Sequence, residues 1–349
     1  MPTEFTALIA ASPFVLAAST ASFVAAFLIA STASVAAFAT SAFAAAFSSS
    51  DNLVLLSISC SFAAFSALIA VIAASFSIAS FPFSFAEYCD YKKISKSHGT
   101  TKEKGFLRAV FDDYLHDGGF PELLNEKRKQ AYINTLVDSI LKRDIEKRYS
   151  VKYKAAFENI ANHLLNNAPA KINYNELQTL FSLKSDHTAA NYVNYAKNAY
   201  LICGLHKYSP KSKIRVRDEK AYAVDVALMN NRENALAGDN LGWRLETIVF
   251  IELLRRYRPL ECDVYYYDET SGEADFLVCK GNFVQKIIQV SYDISNPKTY
   301  KREINGLLLA SSKTECNDLL LITDHDEQSC VADGKKIDII PAYSWLVEK

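Results

Sequence analysis

Glycine is absent from the first part of this 349-residue chain: Gly99 is the first glycine, and the whole chain has only eleven. A phosphate-binding loop of the form G-x-x-x-x-G-K-[ST] needs glycines so that its backbone can approach the phosphates, and a lysine that reaches them. None of the eleven glycines stands in such a pattern. The sequence as written therefore excludes ATP binding through a P-loop.

Lysine and arginine are absent from residues 1–86, where Glu4 and Asp51 are the only charged residues. All 38 basic residues and nearly all of the 39 acidic residues follow this stretch. The later part is therefore a normally charged chain, long enough to bury a sizeable core. Its nearly balanced charge does not identify a partner or an oligomeric state.

Residues 1–80 are rich in alanine, serine and phenylalanine and admit three interpretations. The uncharged stretches 14–30 and 53–80 come near to or exceed the roughly 20 residues that span a bilayer, which predicts a membrane anchor. Lys92 and Lys93 would then lie on the cytoplasmic side. Alternatively the segment is a low-complexity tail, or a misframed sequence joined to a genuine domain. A signal peptide is not predicted, because no basic residue precedes the apolar run.

The seven cysteines are scattered, odd in number and without C-x-x-C spacing. This pattern favours free thiols in a reducing compartment over a disulfide framework or a zinc site. We therefore expect residues 81–349 to be cytoplasmic, with membrane association only through residues 1–80.

Residues 81–150 show helical spacing of apolar side chains and are interpreted as a lid-like helical region. Residues 151–225 read as a winged helix-turn-helix: three helices, the second capped by Asn173 and the third by Ser185 or Asp186, and then two strands around a basic segment. Such a unit places its third helix in a major groove and its wing on phosphates. The candidate nucleic-acid-binding residues are Lys184, His187, Lys197, Lys213, Arg215 and Arg217. The alternative is a packing module with a solvated basic hairpin.

Residues 226–349 predict an α/β domain with a recognisable set of polar positions. Glu246 lies on a helix, Asp275 opens a strand, and Gln289 and Ser291 lie on the next strand. A helical acid, a strand acid and an acid-x-Lys pair form the site of PD-(D/E)XK nucleases, where carboxylates hold Mg²⁺ and the lysine assists the attacking water. Glu246 and Asp275 are therefore candidate metal ligands, and Gln289 is a further candidate catalytic residue.

The lysine of that pattern is missing, because Ser291 occupies its position. Lys286 lies on the same predicted strand but has the opposite facial parity, so it is a poor substitute. Three hypotheses follow. The domain is a degenerate nuclease-like fold that binds without catalysis, an active Mg²⁺-dependent nuclease, or a fold in which these carboxylates are structural.

Ten short segments in order carry a resemblance to a known family: FPFSFAEY at 81–88, GGFPE at 118–122, KRDI at 142–145, NYVNY at 191–195, AYAVD at 221–225, LETIVF at 245–250, GEADF at 272–276, IQVSY at 288–292, REI at 302–304 and IPAYSWL at 340–346. On these segments the chain resembles the C-terminal part of prokaryotic AAA-type ATPases that end in domain of unknown function 4143.

The resemblance implies a P-loop ATPase core, a lid, a winged helix and a nuclease-like C-terminal domain. It implies ATP binding for full-length members only, and an action on nucleic acid. The family commonly carries Gln-Val at the position of Gln289, so the glutamine follows the family pattern. This chain departs from the family before residue 81, where the ATPase core is expected and no P-loop is found. The departure favours a truncated or misframed origin for residues 1–80.

Overall fold

The computed structural model describes residues 81–209, 211, 217–230 and 241–348. The three interpretations of residues 1–80, and the candidate residues Lys213 and Arg215, lie outside the described residues. Phe76–Lys349 forms one compact unit, and the architecture described below belongs to that unit.

The first described region is helical, as the apolar spacing predicts. Its elements are α1 (Phe85–Tyr91), α2 (Thr101–Asp117), a 3-10 turn (Pro121–Leu124), α3 (Lys129–Ser139), a π-helical segment (Ile140–Ile145) and α4 (Glu146–Tyr149). Ser84 and Thr100 cap α1 and α2, each in a reciprocal capping box with a glutamate three residues later.

A turn at Gly118-Gly119 joins this helical region to the middle of the chain. Gly118 has φ +79°, and a methyl group on it would overlap the carboxylate of Asp225. Asp225 Oδ2 accepts a hydrogen bond from the Gly119 amide at 2.8 Å, and Oδ1 accepts one from the Ala227 amide at 2.8 Å. The buried carboxylate therefore fastens the turn to the segment that follows residue 225.

Burial of the Asp225 carboxyl raises its pKa from the ordinary 3.8 to about 6, against the two amide hydrogen bonds that lower it. Because the folded state holds this proton more tightly than the unfolded chain, the stability it contributes is fully present below about pH 4 and is lost as the pH rises through 6. We expect carboxyl-carbon NMR to give a midpoint near 6 for Asp225. An Asp225→Asn variant, which lacks the titration, identifies the signal, and a midpoint near 4 would contradict the assignment.

The middle of the chain forms three helices and a small antiparallel sheet. Its elements are α5 (Lys154–Asn167), β1 (Ala170–Lys171), α6 (Tyr174–Leu180), α7 (Asp186–Asn198), β2 (Ile202–His206) and β3 (Glu219–Ala223). The strand order is β1-β3-β2. Asn173 caps α6 as predicted and accepts from the Glu176 amide at 3.2 Å. Of the two residues predicted for α7, Ser185 is the cap and accepts from the Thr188 amide at 3.3 Å, while Asp186 is the first residue of the helix.

The last region contains a six-stranded mixed sheet. Its elements are α8 (Ala227–Asn230), α9 (Leu241–Tyr257), a 3-10 turn (Arg258–Leu260), β4 (Asp263–Glu269), β5 (Gly272–Lys280), β6 (Phe283–Val290), α10 (Pro297–Thr314), β7 (Leu319–Thr323), β8 (Gln328–Ala332), β9 (Lys335–Pro341) and α11 (Ala342–Val347). The strand order is β4-β5-β6-β7-β9-β8, with β6, β7 and β9 parallel and the other pairs antiparallel.

Alternate residues of these strands face two hydrophobic cores. Phe276 and Ile288 face a large core that contains α9 and much of the helical and middle regions. Leu277 and Ile287 face a smaller core that contains Leu307 of α10. The sheet is therefore covered by α9 on one face and by α10 on the other.

The sequence predicts a multidomain α+β chain that ends in an α/β domain, and the structure confirms its combination of helices with a mixed sheet. Within the described residues, no helix is long and apolar enough to cross a bilayer. The six cysteines that fall in the described part are free, as predicted. Among the elements that the sequence analysis did not predict are the short strand β1, the short helix α8, the edge strand β8 and the terminal helix α11.

Candidate functional site

The candidate site lies where β5 begins and β6 ends. Phe276 pairs with Ile288 in the antiparallel register, so Asp275 and Gln289 lie side by side at this end of the sheet. The two residues are bonded directly, because the Asp275 amide donates to Gln289 Oε1 at 3.1 Å. Sequence reasoning predicted this meeting of Asp275 and Gln289, and the structure brings them together.

Helix α10 adds a carboxylate that the sequence analysis did not include. Gln289 Nε2 donates to Glu303 Oε2 at 2.7 Å, and Arg302 donates to Glu303 Oε1 at 2.5 Å. On the other side, Asp275 Oδ2 accepts from the Val290 amide at 2.9 Å. Asp275, Gln289 and Glu303 are all buried. The two oxygens of Glu303 and both polar atoms of the Gln289 amide are thus engaged within the protein.

Glu246 reaches the site from α9. Its Oε1 accepts a hydrogen bond from the Tyr222 hydroxyl at 2.6 Å. The ring of Tyr222 lies 4.3 Å from that of Phe250, and Phe250 stacks on Phe276 at 5.8 Å between centroids. This aromatic group joins β3, α9 and β5, and it positions Glu246 in the large core.

The cation of the site comes from the small sheet. Lys220 of β3 places its ammonium nitrogen 4.0 Å from Glu246 Oε1 and 5.2 Å from the ring centroid of Tyr266. Its side chain is only 11% exposed. Lys220 thus supplies the ammonium group that β6 lacks, from a strand more than fifty residues earlier in the sequence. Lys286, by contrast, pairs with Asp318 at 3.2 Å and takes no part.

We call these five side chains, Lys220, Glu246, Asp275, Gln289 and Glu303, the carboxylate–lysine cluster. Burial raises the pKa of Asp275 well above its ordinary value, and the neighbouring charge of Glu246 raises it further. Burial also raises the pKa of Glu246, against the lowering effect of Lys220. Burial disfavours the ammonium of Lys220, yet Glu246 and Asp275 together hold its pKa above the ordinary value. Burial thus works against ionisation of both carboxyl groups, and Lys220 offsets part of that effect at Glu246 and at Asp275.

The cluster does not fit a Mg²⁺ ion. Mg²⁺ requires oxygen ligands in near-octahedral geometry, whereas Gln289 Oε1 already accepts from a backbone amide and Asp275 Oδ2 from another. The Lys220 ammonium supplies a competing positive charge. In the described part of the chain, no three His, Cys, Asp or Glu side chains are arranged to share a metal ion. The proposed metal ligands Glu246 and Asp275 therefore lie together, but with a lysine as their counter-ion.

One of the candidate nucleic-acid-binding residues, Lys197, forms an ion pair within the protein. Lys197 Nζ donates to Glu219 Oε2 at 2.5 Å, and the Glu219 side chain is only 6% exposed. Gly204 on β2 makes room for it, because a methyl group there would overlap Glu219 Oε1. Lys197 is thus turned toward the small sheet, and its charge compensates Glu219 instead of forming part of the exposed surface.

The other described candidates are exposed near α7 or at the end of the connection between β2 and β3. Lys184 precedes the helix and His187 lies in its first turn, both exposed. Arg217 is exposed and donates to Asp218 Oδ1 at 2.8 Å. The buried face of α7 consists of Ala189, Tyr192, Val193 and Ala196. Lys184 and His187 therefore flank the start of a helix whose other face is anchored in the core.

The chain is similar to a domain of unknown function and to two uncharacterized proteins. A family model described as a domain of unknown function (DUF8612) matches residues 108–239. An uncharacterized protein of Methanocaldococcus jannaschii is 30% identical over 278 residues, covering 76% of this chain and 62% of the relative. An uncharacterized protein of Haemophilus influenzae is 28% identical over 277 residues, covering 77% of this chain and 64% of the relative.

The chain spans less than two thirds of the length of these curated relatives. No solved structure matches the chain. The family model ends before α9 begins, so it includes β3 with Lys220 and leaves out the other members of the carboxylate–lysine cluster.

Proposed function

We propose that the chain from residue 81 onward binds nucleic acid, or a protein partner, without catalysis. In this proposal residues 151–225 are a winged helix-turn-helix that makes the contact. Residues 226–349 are a degenerate nuclease-like domain that supports it. Nucleic acid is the favoured ligand.

The observation that carries the proposal is the order and pairing of elements in the middle region. The helices α5, α6 and α7 come first, with β1 between α5 and α6, and are followed by β2 and β3. The three strands form one antiparallel sheet, and the connection between β2 and β3 corresponds in order to the wing of a winged helix. In helix-turn-helix proteins the second helix of the motif enters the major groove. Here that helix is α7, which is anchored on one side and exposed along the other.

The absence of catalysis is proposed from the bonding of the carboxylate–lysine cluster. The Asp275 carboxylate accepts from the Val290 amide, Gln289 Oε1 accepts from the Asp275 backbone amide, and Gln289 Nε2 donates to Glu303. A metal-dependent nuclease needs carboxylates that are free to bind the ion and to polarise a phosphate. In this chain the same positions stabilise the junction between the two sheets. We infer that the cluster has a structural role.

An active Mg²⁺-dependent nuclease is the second candidate, because Lys220 supplies an ammonium group beside Glu246. In that case Lys220 would stabilise the charge that develops on the phosphate, and Asp275 would have to ionise when the ion binds. The AAA-type resemblance adds ATP binding as a property expected of full-length members only, since this chain carries no P-loop.

Charge reversal at Lys184 tests nucleic-acid binding. Lys184 is exposed beside α7, so a glutamate there would repel a phosphate backbone. We expect Lys184→Glu to weaken binding of a fluorescent 20-base-pair duplex about 5- to 10-fold at low salt and to reduce the salt dependence by about one counter-ion.

Lys313→Glu is the matched control, because Lys313 is an exposed lysine of α10. We expect Lys313→Glu to bind like the unmodified protein. Equal losses from the two variants would indicate non-specific electrostatics, and an absence of duplex binding at low salt would favour a protein partner.

A further inference from the structure

A row of hydrogen-bonding side chains, one histidine and three asparagines, covers the exposed side of α7. His187, Asn191, Asn194 and Asn198 recur at intervals of three or four residues and are all exposed. Residues at this spacing lie on one face of a helix. We call this row the amide face of α7.

No contact within the described part of the chain explains Asn191 and Asn194 on this face. Asparagine is among the poorer helix formers, and an exposed position offers no packing in return. Asn198 Nδ2 donates to the Tyr149 hydroxyl at 3.2 Å. Among the residues that the structure describes, Asn191 and Asn194 form no side-chain hydrogen bond, so their amides are available to a ligand.

Resting on the winged-helix function proposed above, we propose that Asn191 and Asn194 read A·T base pairs in the major groove of duplex DNA. A carboxamide offers one acceptor and one donor side by side, which matches N6 and N7 of adenine. Arginine and lysine instead match guanine, and neither is exposed along α7, because Lys197 is bonded to Glu219.

The spacing and the charges around the amide face fit a duplex. Asn191 and Asn194 are separated by about 4.5 Å along the helix axis, which is close to the roughly 3.4 Å between base pairs. Lys184 precedes the helix, and Lys211 and Arg217 lie on the connection between β2 and β3, where phosphates would pass. The charged residues would then provide affinity and the amides selectivity.

The test is selection from a random library of 16-base-pair duplexes with the full chain and with the double variant Asn191→Ala/Asn194→Ala. We expect the full chain to enrich sites with adjacent A·T pairs, and the variant to lose that preference by about 10- to 100-fold, the effect of one or two bidentate contacts. Its affinity for unselected duplex should stay within about 2-fold, because phosphate contacts are retained. Alanine is the better helix former, so the variant should keep its helical circular dichroism.

Each result separates this inference from the function on which it rests. Duplex binding without an A·T preference would contradict base recognition by Asn191 and Asn194, and so would a preference that the double variant keeps. Either result would leave the proposed duplex binding intact. Enrichment of G·C sites also overturns the inference. Absence of duplex binding overturns this inference and leaves only the protein-partner form of the proposed function. Preferential binding of single-stranded RNA of the same length overturns the inference and leaves nucleic-acid binding in place.

Discussion

Replacement of Lys220 by methionine is expected to lower the free energy of unfolding by about 3 kcal/mol. Methionine keeps much of the length and volume of lysine but removes the charge. Glu246, whose side chain is 15% exposed, then remains beside Asp275 without its counter-ion, and a charge that is largely removed from water and uncompensated is strongly destabilising. Urea unfolding at pH 7 measures the effect, and coincident transitions in helical circular dichroism and in tryptophan fluorescence would show that unfolding is cooperative.

Lys286→Met is the matched control for this prediction. The same substitution there breaks a pair with Asp318, whose side chain is 54% exposed, and exposed pairs contribute at most about 1 kcal/mol. Adding Glu246→Gln to Lys220→Met should recover part of the loss, because the unpaired charge is removed. Equal stabilities for Lys220→Met and Lys286→Met would mean that Lys220 does not compensate the carboxylates.

Substitution of Gly306 by alanine is expected to destabilise the fold by about 3 kcal/mol. Gly306 lies on α10 where the helix approaches β5 closely, and an added methyl group would overlap the backbone oxygen of Glu273. The strand cannot yield without displacing Asp275, two residues further on. The helix must instead move outward, and that movement would lengthen the bond between Gln289 and Glu303.

Gly105→Ala is the control, because it places the same methyl group on a helix where there is room for it. Gly105 is an exposed residue of α2, and nothing lies within 4 Å of a methyl group placed there. The exchange should stabilise the protein by about 0.5–1 kcal/mol, because glycine is a poor helix former. Thermal or urea unfolding of the two variants should therefore shift in opposite directions. A neutral Gly306→Ala would show that α10 is not held tightly against the sheet.

Three members of the cluster, Asp275, Gln289 and Glu303, could be predicted from the local sequence pattern. Asp275 and Gln289 each lie on a strand with a clear apolar pattern. A short turn joins the two strands into a hairpin, so the pairing register alone decides that the two residues lie side by side. Glu303 also had a signal: Leu307 lies one helical turn after it on the buried face of α10. The same reasoning applies to Lys197, one turn after the buried Val193, which the sequence analysis treated as exposed.

Lys220 had no comparable local signal. Alternation along β3 shows that the strand has two faces, but it does not show that one of them lies against α9 of a different region. That contact is set by the packing of Tyr222 on Phe250, a tertiary feature. The strand β8 was missed for another reason. β8 is only five residues long and largely exposed, so it shows no clear apolar alternation. The Asp333-Gly334 turn that follows it, with φ values of +48° and +74°, is a favoured hairpin sequence and was the available signal.

The central claim is that the carboxylate–lysine cluster is compensated internally and does not perform metal-dependent catalysis. The most direct measurement is cleavage of linear and branched DNA by the purified chain in millimolar Mg²⁺ or Mn²⁺, with Asp275→Asn as the control. The amide oxygen of the substituted side chain can still accept from the Val290 amide, so the control should fold. We predict no cleavage that differs between the two proteins. Metal-dependent cleavage by the unmodified chain, abolished by Asp275→Asn, would contradict the account.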